Sequence, residues 1–154
     1  MIVLLDTNVL SEFVRERPHP AVLDWLDNRP TRSVGTTTIT IAELRYGVER
    51  LPDGRRKAAL SAAVDQMVVW DFDGRIADFD VPATREYAVI AAERRRHGRP
   101  IATADAQIAA ICRARNAALA TRNTKDFVDT GVDLVNPFDP SAGPPGPARA
   151  ADLR

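Results

Sequence analysis

Four acidic residues, Asp6, Glu43, Asp105 and Asp126, each stand at a junction where an apolar run gives way to helical spacing, or close to one. Carboxylates supply only oxygen donors, and several brought to one place repel one another and raise each other's pKa unless a cation neutralises them. Oxygen-only sets suit Mg²⁺ or Mn²⁺. No His or Cys lies near these acids, so a zinc site or a Cys–His nucleophile has little support. A divalent ion is therefore the economical solution for acids that converge.

Each acid also has a structural explanation of its own. Asp6, followed by Thr7 and Asn8, fits a helix N-cap. Glu43 lies three residues after Thr40, the spacing of a capping box. Asp105 follows Thr103 by two residues near a helix start, where the dipole favours a negative charge, and Thr124 can cap the turn that carries Asp126. Four such junctions in order are harder to explain singly, and together they predict convergence at one end of a sheet.

The elements that must position these acids follow from the apolar pattern. Apolar runs ending in Asp, Thr or Ser alternate with helical stretches, as in βα units around a parallel sheet. Ile2 to Leu5 predicts the first strand, with a helix from Thr7 to about Arg15. After Pro18 and Pro20, Ala21 to Asn28 predicts a short helix with Val22, Leu23, Trp25 and Leu26 inward. Arg32 to Thr36 predicts a strand; Ile41, Leu44, Val48 and Leu51 then form one helical stripe ending at Pro52-Asp53-Gly54. Arg55 to Phe72 mixes signals and is assigned to helix, followed by a weak strand around Arg75 to Phe79. Pro82 opens a helix that ends at His97-Gly98, and Thr103 is the expected cap of the next. Ala117 to Thr121 and Val132 to Val135 are the last strands. In α/β sheets ligands bind beyond the carboxyl ends of strands, which is where Asp6 sits.

Composition narrows the functional class. The 154 residues suffice for one domain that buries about two thirds of its unfolded surface. Basic and acidic residues balance at 21 each, so no net positive field draws in a polyanion, and any nucleic-acid contact must come from a local patch or a metal. The one cysteine, Cys112, excludes an internal disulfide, and the first apolar run is too short for a signal core or a membrane span, which predicts a cytoplasmic protein. Gly-x-x-x-x-Gly-Lys and Gly-x-Gly-x-x-Gly phosphate loops are absent. Arg94, Arg95 and Arg96, with Arg99, make the densest basic run, which reads either as a phosphate-contacting patch or as a solvated helix end. Arg122, beside the acids, is the better candidate for a substrate phosphate. Trp25 and Trp70 fit core or interface positions. From Pro140 the composition turns to Ser, Ala, Gly and Pro, so residues 1–140 are assigned to the folded domain and 141–154 to a disordered tail.

With DTNVLSE at 6–12, TITIAELRYG at 38–47, GRPIATADAQIAA at 98–110 and TRNTKDF at 121–127, the chain resembles the PIN-domain nucleases, and more narrowly the VapC and FitB-type toxins of bacterial toxin–antitoxin pairs. FDVPATREYA at 79–88 and NPF at 136–138 extend the resemblance over residues 1–139. Phe138 stands where Trp is common, Ala102 and Ala104 occupy variable positions, and the Pro/Gly-rich tail lies outside the pattern. The resemblance implies a three-layer α/β/α fold with a central parallel sheet of about five strands. It implies that Asp6, Glu43, Asp105 and Asp126 are catalytic and hold Mg²⁺ (or Mn²⁺), with Thr7, Asn8, Thr121, Arg122 and Asn123 binding substrate or orienting ligands. It implies an RNA substrate, a cognate antitoxin, a homodimer assembling into a heterotetramer or larger with that antitoxin, and DNA contacted only through the antitoxin. A non-catalytic PIN-fold binding module and a DNA nuclease are the alternatives.

Overall fold

The computed structural model describes residues 1–147. Six strands form one sheet: Val3–Leu5 (β1), Val34–Thr37 (β2), Ile76–Ala77 (β3), Ala118–Ala120 (β4), Asp133–Val135 (β5) and Gly146–Pro147 (β6), in the spatial order β3-β2-β1-β4-β5-β6. The first five are parallel and β6 runs antiparallel to β5. The helices are Thr7–Leu10 (α1), Pro20–Asp27 (α2), Thr38–Glu49 (α3), Arg55–Gln66 (α4), Val81–Arg96 (α5) and Thr103–Ala114 (α6).

Alternation along the strands decides the layering, because successive strand side chains point to opposite faces. Val3 and Leu5 of β1, with Ala118 and Ala120 of β4, share one core with Val9 and Leu10 of α1, Val22 of α2, Ile41, Leu44 and Val48 of α3, and Val64 of α4. Leu4 and Leu119 face the other way, onto Ile90 of α5 and Ile108 to Cys112 of α6. Both faces are covered, as a parallel sheet requires, and the three-layer α/β/α arrangement expected from the sequence is the one observed. Gly35 lets β2 pass close to the chain entering β3, since a Cβ there would lie 2.6 Å from the Arg75 carbonyl oxygen.

The parallel part of the sheet has the five strands expected, and a sixth, antiparallel strand lies within the 141–154 segment, where Gly146 and Pro147 pair with Leu134 and Asp133. Residues 148–154 of that segment lie outside the described residues. Other expectations are corrected. Leu23 is 43 % exposed, on the outer face of α2. The mixed signal over Arg55 to Phe72 resolves into α4 followed by a π-helical turn, Met67–Asp71. The wider turn keeps Met67 and Phe72 buried and turns Trp70 outward, 74 % exposed, so Trp70 is not a core residue. Pro82 does lie in the first turn of α5, and Gly98 takes a left-handed φ of 70° just past its end, as the sequence predicts. Among the described residues no helix is long and apolar enough to cross a membrane.

Candidate active site

The chain runs outward from β1 through β2 to β3, then crosses to the other side of β1 for β4 and β5. The switch in direction therefore falls between β1 and β4, the position at which open α/β sheets form a crevice at their carboxyl ends. Asp6 leaves β1 and Thr121 leaves β4 on the two sides of that switch, stitched by the Asp6 N–H donating to the Ala120 carbonyl at 2.9 Å. Their side chains meet as well. The Thr121 hydroxyl donates to Asp6 Oδ2 at 2.7 Å, Asn8 Nδ2 donates to the same oxygen at 3.3 Å, and the Thr7 N–H donates to Oδ1 at 2.8 Å.

Asp6 is the N-cap of α1, so its cap role is real. It occupies one oxygen only, and the other is bound across the sheet. Asp6 is 5 % exposed, and burial pushes its pKa up, with the charge of Asp126 adding to the rise, while the hydrogen bonds from Thr121, Thr7 and Asn8 oppose it.

Glu43 loses its structural explanation. The cap of α3 is Thr37, whose hydroxyl accepts from the Thr40 N–H at 3.0 Å, so Thr40 lies inside the helix and makes no capping box with Glu43. One turn further on, Glu43 reaches back toward β1, and its Oε1 accepts the Thr7 hydroxyl at 2.9 Å. The expected caps at Thr103 and Thr124 are also absent. α6 is preceded by Ala102, and the short 3-10 turn Thr124–Phe127 by Asn123, neither with a side-chain cap.

Asp105 sits in the first turn of α6, and its carboxyl makes no hydrogen bond or ion pair among the described residues. Its pKa is pushed up to about 6, first by burial, then by the charges of Asp6, Glu43 and Asp126, with Arg94 opposing. The four acids thus feel one another across four separate elements, and none of them has an ion-pair partner among the described residues. They gather less tightly than the sequence reading expects: no three His, Cys, Asp or Glu side chains among the described residues converge as direct ligands of one ion. Mg²⁺ keeps several waters and takes one or two carboxylates directly, so uncompensated acids spaced this widely fit an ion held partly through water, and not a closed protein cage.

The neighbouring candidates fall into place around Asp6. Asn8 bridges Asp6 and Thr121 through Nδ2, and its Oδ1 accepts the Arg122 N–H at 3.0 Å. The Asn123 N–H donates to the Thr121 hydroxyl at 3.0 Å. Thr7, Asn8, Glu43 and Arg122 line one groove that continues between α3 and α4.

Two residues were missed or misread. Arg94 is no solvated helix end: it is 6 % exposed, with Nε donating to the Arg99 carbonyl and Nη1 to the carbonyls of Asp126 and Val128. It fixes the backbone that carries Asp126 and sets a positive charge behind Asp105. Its neighbours Arg95 and Arg96 are exposed, as is Arg99, and the helical period of α5 separates the first two. Glu12, also buried, holds Arg15 and the His19 N–H and plays no part among the four acids. Cys112 lies in the core, where burial drives its thiol pKa far up, which fits its exclusion as a nucleophile.

The sequence matches the PIN domain family over residues 3–132, most of the chain. The chain is a PIN domain. It is 40 % identical to toxin FitB of Neisseria gonorrhoeae, over 89 % of this chain and 99 % of that protein. It is 36 % identical to the VapC ribonuclease Y4jK of Sinorhizobium fredii, over 91 % and 100 %. Among solved structures it resembles FitAB bound to an IR36 DNA fragment, with a TM-score of 0.82 and 39 % identity, covering 90 % of this chain and 96 % of that one. The likeness spans the PIN domain almost end to end, so every element that carries an acid falls within the matched region.

Proposed function

We propose that this PIN domain is an Mg²⁺- or Mn²⁺-dependent endoribonuclease, the toxin of a bacterial toxin–antitoxin pair acting in the cytoplasm. The observation that carries the reading is the set of four acids at the sheet's switch point, Asp6, Glu43, Asp105 and Asp126, none in an ion pair among the described residues and with only the charge of Arg94 opposing their crowding at Asp105. The names of relatives, a VapC ribonuclease and toxin FitB, support RNA and toxicity.

In this reading Asp6 and Asp105, with Asp126 and Glu43, hold the ion. A divalent ion so bound supplies charge to a phosphate and favours ionisation of a water for in-line attack. The protein's own residues do the rest. Thr121, Thr7 and Asn8 fix the orientation of the Asp6 carboxylate, and Arg94 fixes the Asp126 backbone. The Thr7 hydroxyl holds Glu43 toward the groove, and Arg122 offers a cation to the RNA backbone. The cognate antitoxin blocks the groove when bound, the chain pairs as a homodimer within a heterotetramer or larger, and DNA is reached only through the antitoxin, a reading supported by the FitAB complex on DNA.

The test is cleavage of total RNA by the purified chain with Mg²⁺ or Mn²⁺, followed by mapping of the new ends. Cleavage that stops in EDTA supports the reading, whereas no cleavage, or cleavage that persists in EDTA, overturns it. Preferential cleavage of DNA points to the DNA nuclease. The loose spacing of the acids gives some weight to a non-catalytic binding module, which calorimetric titration with Mn²⁺ separates, since such a module has no reason to take up the ion.

A further inference from the structure

We propose that Phe138 is a positioning residue that holds the Arg122 guanidinium ready as a clamp for an RNA backbone phosphate beside the acids. The proposal rests on the nuclease reading and extends it to the part of the site that grips substrate. Arg122 leaves the end of β4 with its N–H fixed to Asn8 Oδ1, and its guanidinium carbon lies 3.6 Å above the centre of the Phe138 ring. The ring is itself held. The Phe138 N–H donates to Asn136 Oδ1 at 3.0 Å, the His19 ring meets it edge-on with centroids 5.3 Å apart, and its body packs on the core shared by β1 and α1 to α4.

Among the described residues the Arg122 side chain makes no ion pair and no hydrogen bond, although it lines the groove that also holds Glu43. A guanidinium near uncompensated carboxylates is expected to fold onto one of them. Stacking on Phe138 offers an alternative resting place: it uses only the flat face of the group and leaves the in-plane N–H donors facing outward. Two parallel N–H donors match two phosphate oxygens, which is the bidentate geometry that lysine lacks. Phosphate contacts of this kind position a strand without reading its bases.

Binding of a short single-stranded RNA to the Asp6→Asn chain, followed by fluorescence anisotropy across a KCl series, separates gripping from cleavage. Phe138→Leu and Arg122→Ala should each weaken binding about 10-fold, and the double variant no more than Arg122→Ala alone. Phe138→Trp should bind within about 2-fold of the parent, because the ring face is retained. The slope of log affinity against log salt should fall by about 0.7 in Phe138→Leu and in Arg122→Ala, the loss of one single-strand phosphate contact. In NMR spectra of the free protein, the Arg122 Nε–H proton, shielded by the ring, should move downfield in Phe138→Leu and stay in Phe138→Trp.

Unchanged binding in Phe138→Leu overturns the proposal, as do losses that multiply in the double variant. Equal failure of the Leu and Trp variants at unchanged melting temperature, or no RNA binding by the parent, does the same. Wild-type cleavage of total RNA judges the nuclease reading separately. There Phe138→Leu should raise KM with kcat little changed, a split that loss of folded protein does not produce.

Discussion

The two halves of the acidic crevice are built differently. On the β1–β4 side, Asp6 is buried and every oxygen of its carboxylate is occupied, by Thr7, Thr121 and Asn8. On the α6 side, Asp105 is half-buried, without a hydrogen bond among the described residues, and its pKa is pushed up to about 6. One carboxylate is fixed in orientation by the fold. The other is held only by its helix, in the field of three like charges. The contrast points to a division of labour in which the first half presets ligand geometry and the second holds a carboxylate whose charge, penalised first by burial and then by its like-charged neighbours, a cation relieves.

The largest expected effect breaks the preset half at its centre. Asp6→Asn keeps the shape and one acceptor oxygen, for Thr121 or for the Thr7 N–H but not both, and removes the charge, so RNA cleavage should fall about 10³-fold while the chain stays folded. Circular dichroism and initial rates on the same preparation check this, and residual activity above a tenth would contradict a ligand role for Asp6.

Next in size is Arg94→Met. It leaves the carbonyls of Arg99, Asp126 and Val128 without their buried donor, and should cost about 2–4 kcal/mol of stability. Urea unfolding reads the loss directly. Arg94→Lys should fall between, because a single ammonium cannot reproduce the planar fork. An Arg94→Met chain as stable as wild type would show that the Asp126 segment is held by other means.

A smaller effect isolates the link across the switch point. Thr121→Val removes the hydroxyl that donates to Asp6 and accepts from the Asn123 N–H, with little change in volume. Mn²⁺ affinity by calorimetry should drop about 10-fold, in the range for loss of a group that orients a ligand. If affinity is unchanged, Asp6 is held well enough by Thr7 and Asn8 alone.

Much of this architecture was legible before any coordinates. The run ending at Asp6 marks β1 because an apolar stretch buried on both faces must stop where a carboxylate appears. The Ile41, Leu44 and Val48 stripe fixes the buried side of α3 by period alone. Glu43 was harder, because Thr-x-x-Glu is a valid capping box. Only the location of the real cap, Thr37 at the end of β2, three residues before Thr40, frees it to face β1. Arg94 was hidden for a different reason: three consecutive arginines look alike in sequence, while their 100° separation around α5 sends one inward and leaves two outside. Of the two positions expected for Trp70, core or interface, the core is excluded because the π-helical turn shifts the phase of the apolar residues around it. The pairing of Gly146–Pro147 with β5 depends on an open sheet edge that composition cannot reveal.

The smallest effect tests whether the second half does penalise an ionised Asp105, through burial first and the neighbouring charges second. The folded chain holds the Asp105 pKa at about 6, against an ordinary value of 3.8, so ionising this group is disfavoured in the native state. In the ion-free protein its penalty is therefore fully present above about pH 6 and disappears as the pH falls toward about 4, where native and unfolded chains are both protonated. Asp105→Asn removes the ionisation altogether. In EDTA it should melt above wild type near pH 7.5, with the gap closing toward pH 4; the gap should be modest because a half-exposed group is screened by solvent. Mn²⁺ should then reverse the order at pH 7.5, since wild type gains stability from the bound ion and the variant gains less. A gap independent of pH would assign the variant's effect to packing. An equal Mn²⁺ response in both chains would remove Asp105 from the ligand set and leave the preset half of the crevice to hold the ion by itself.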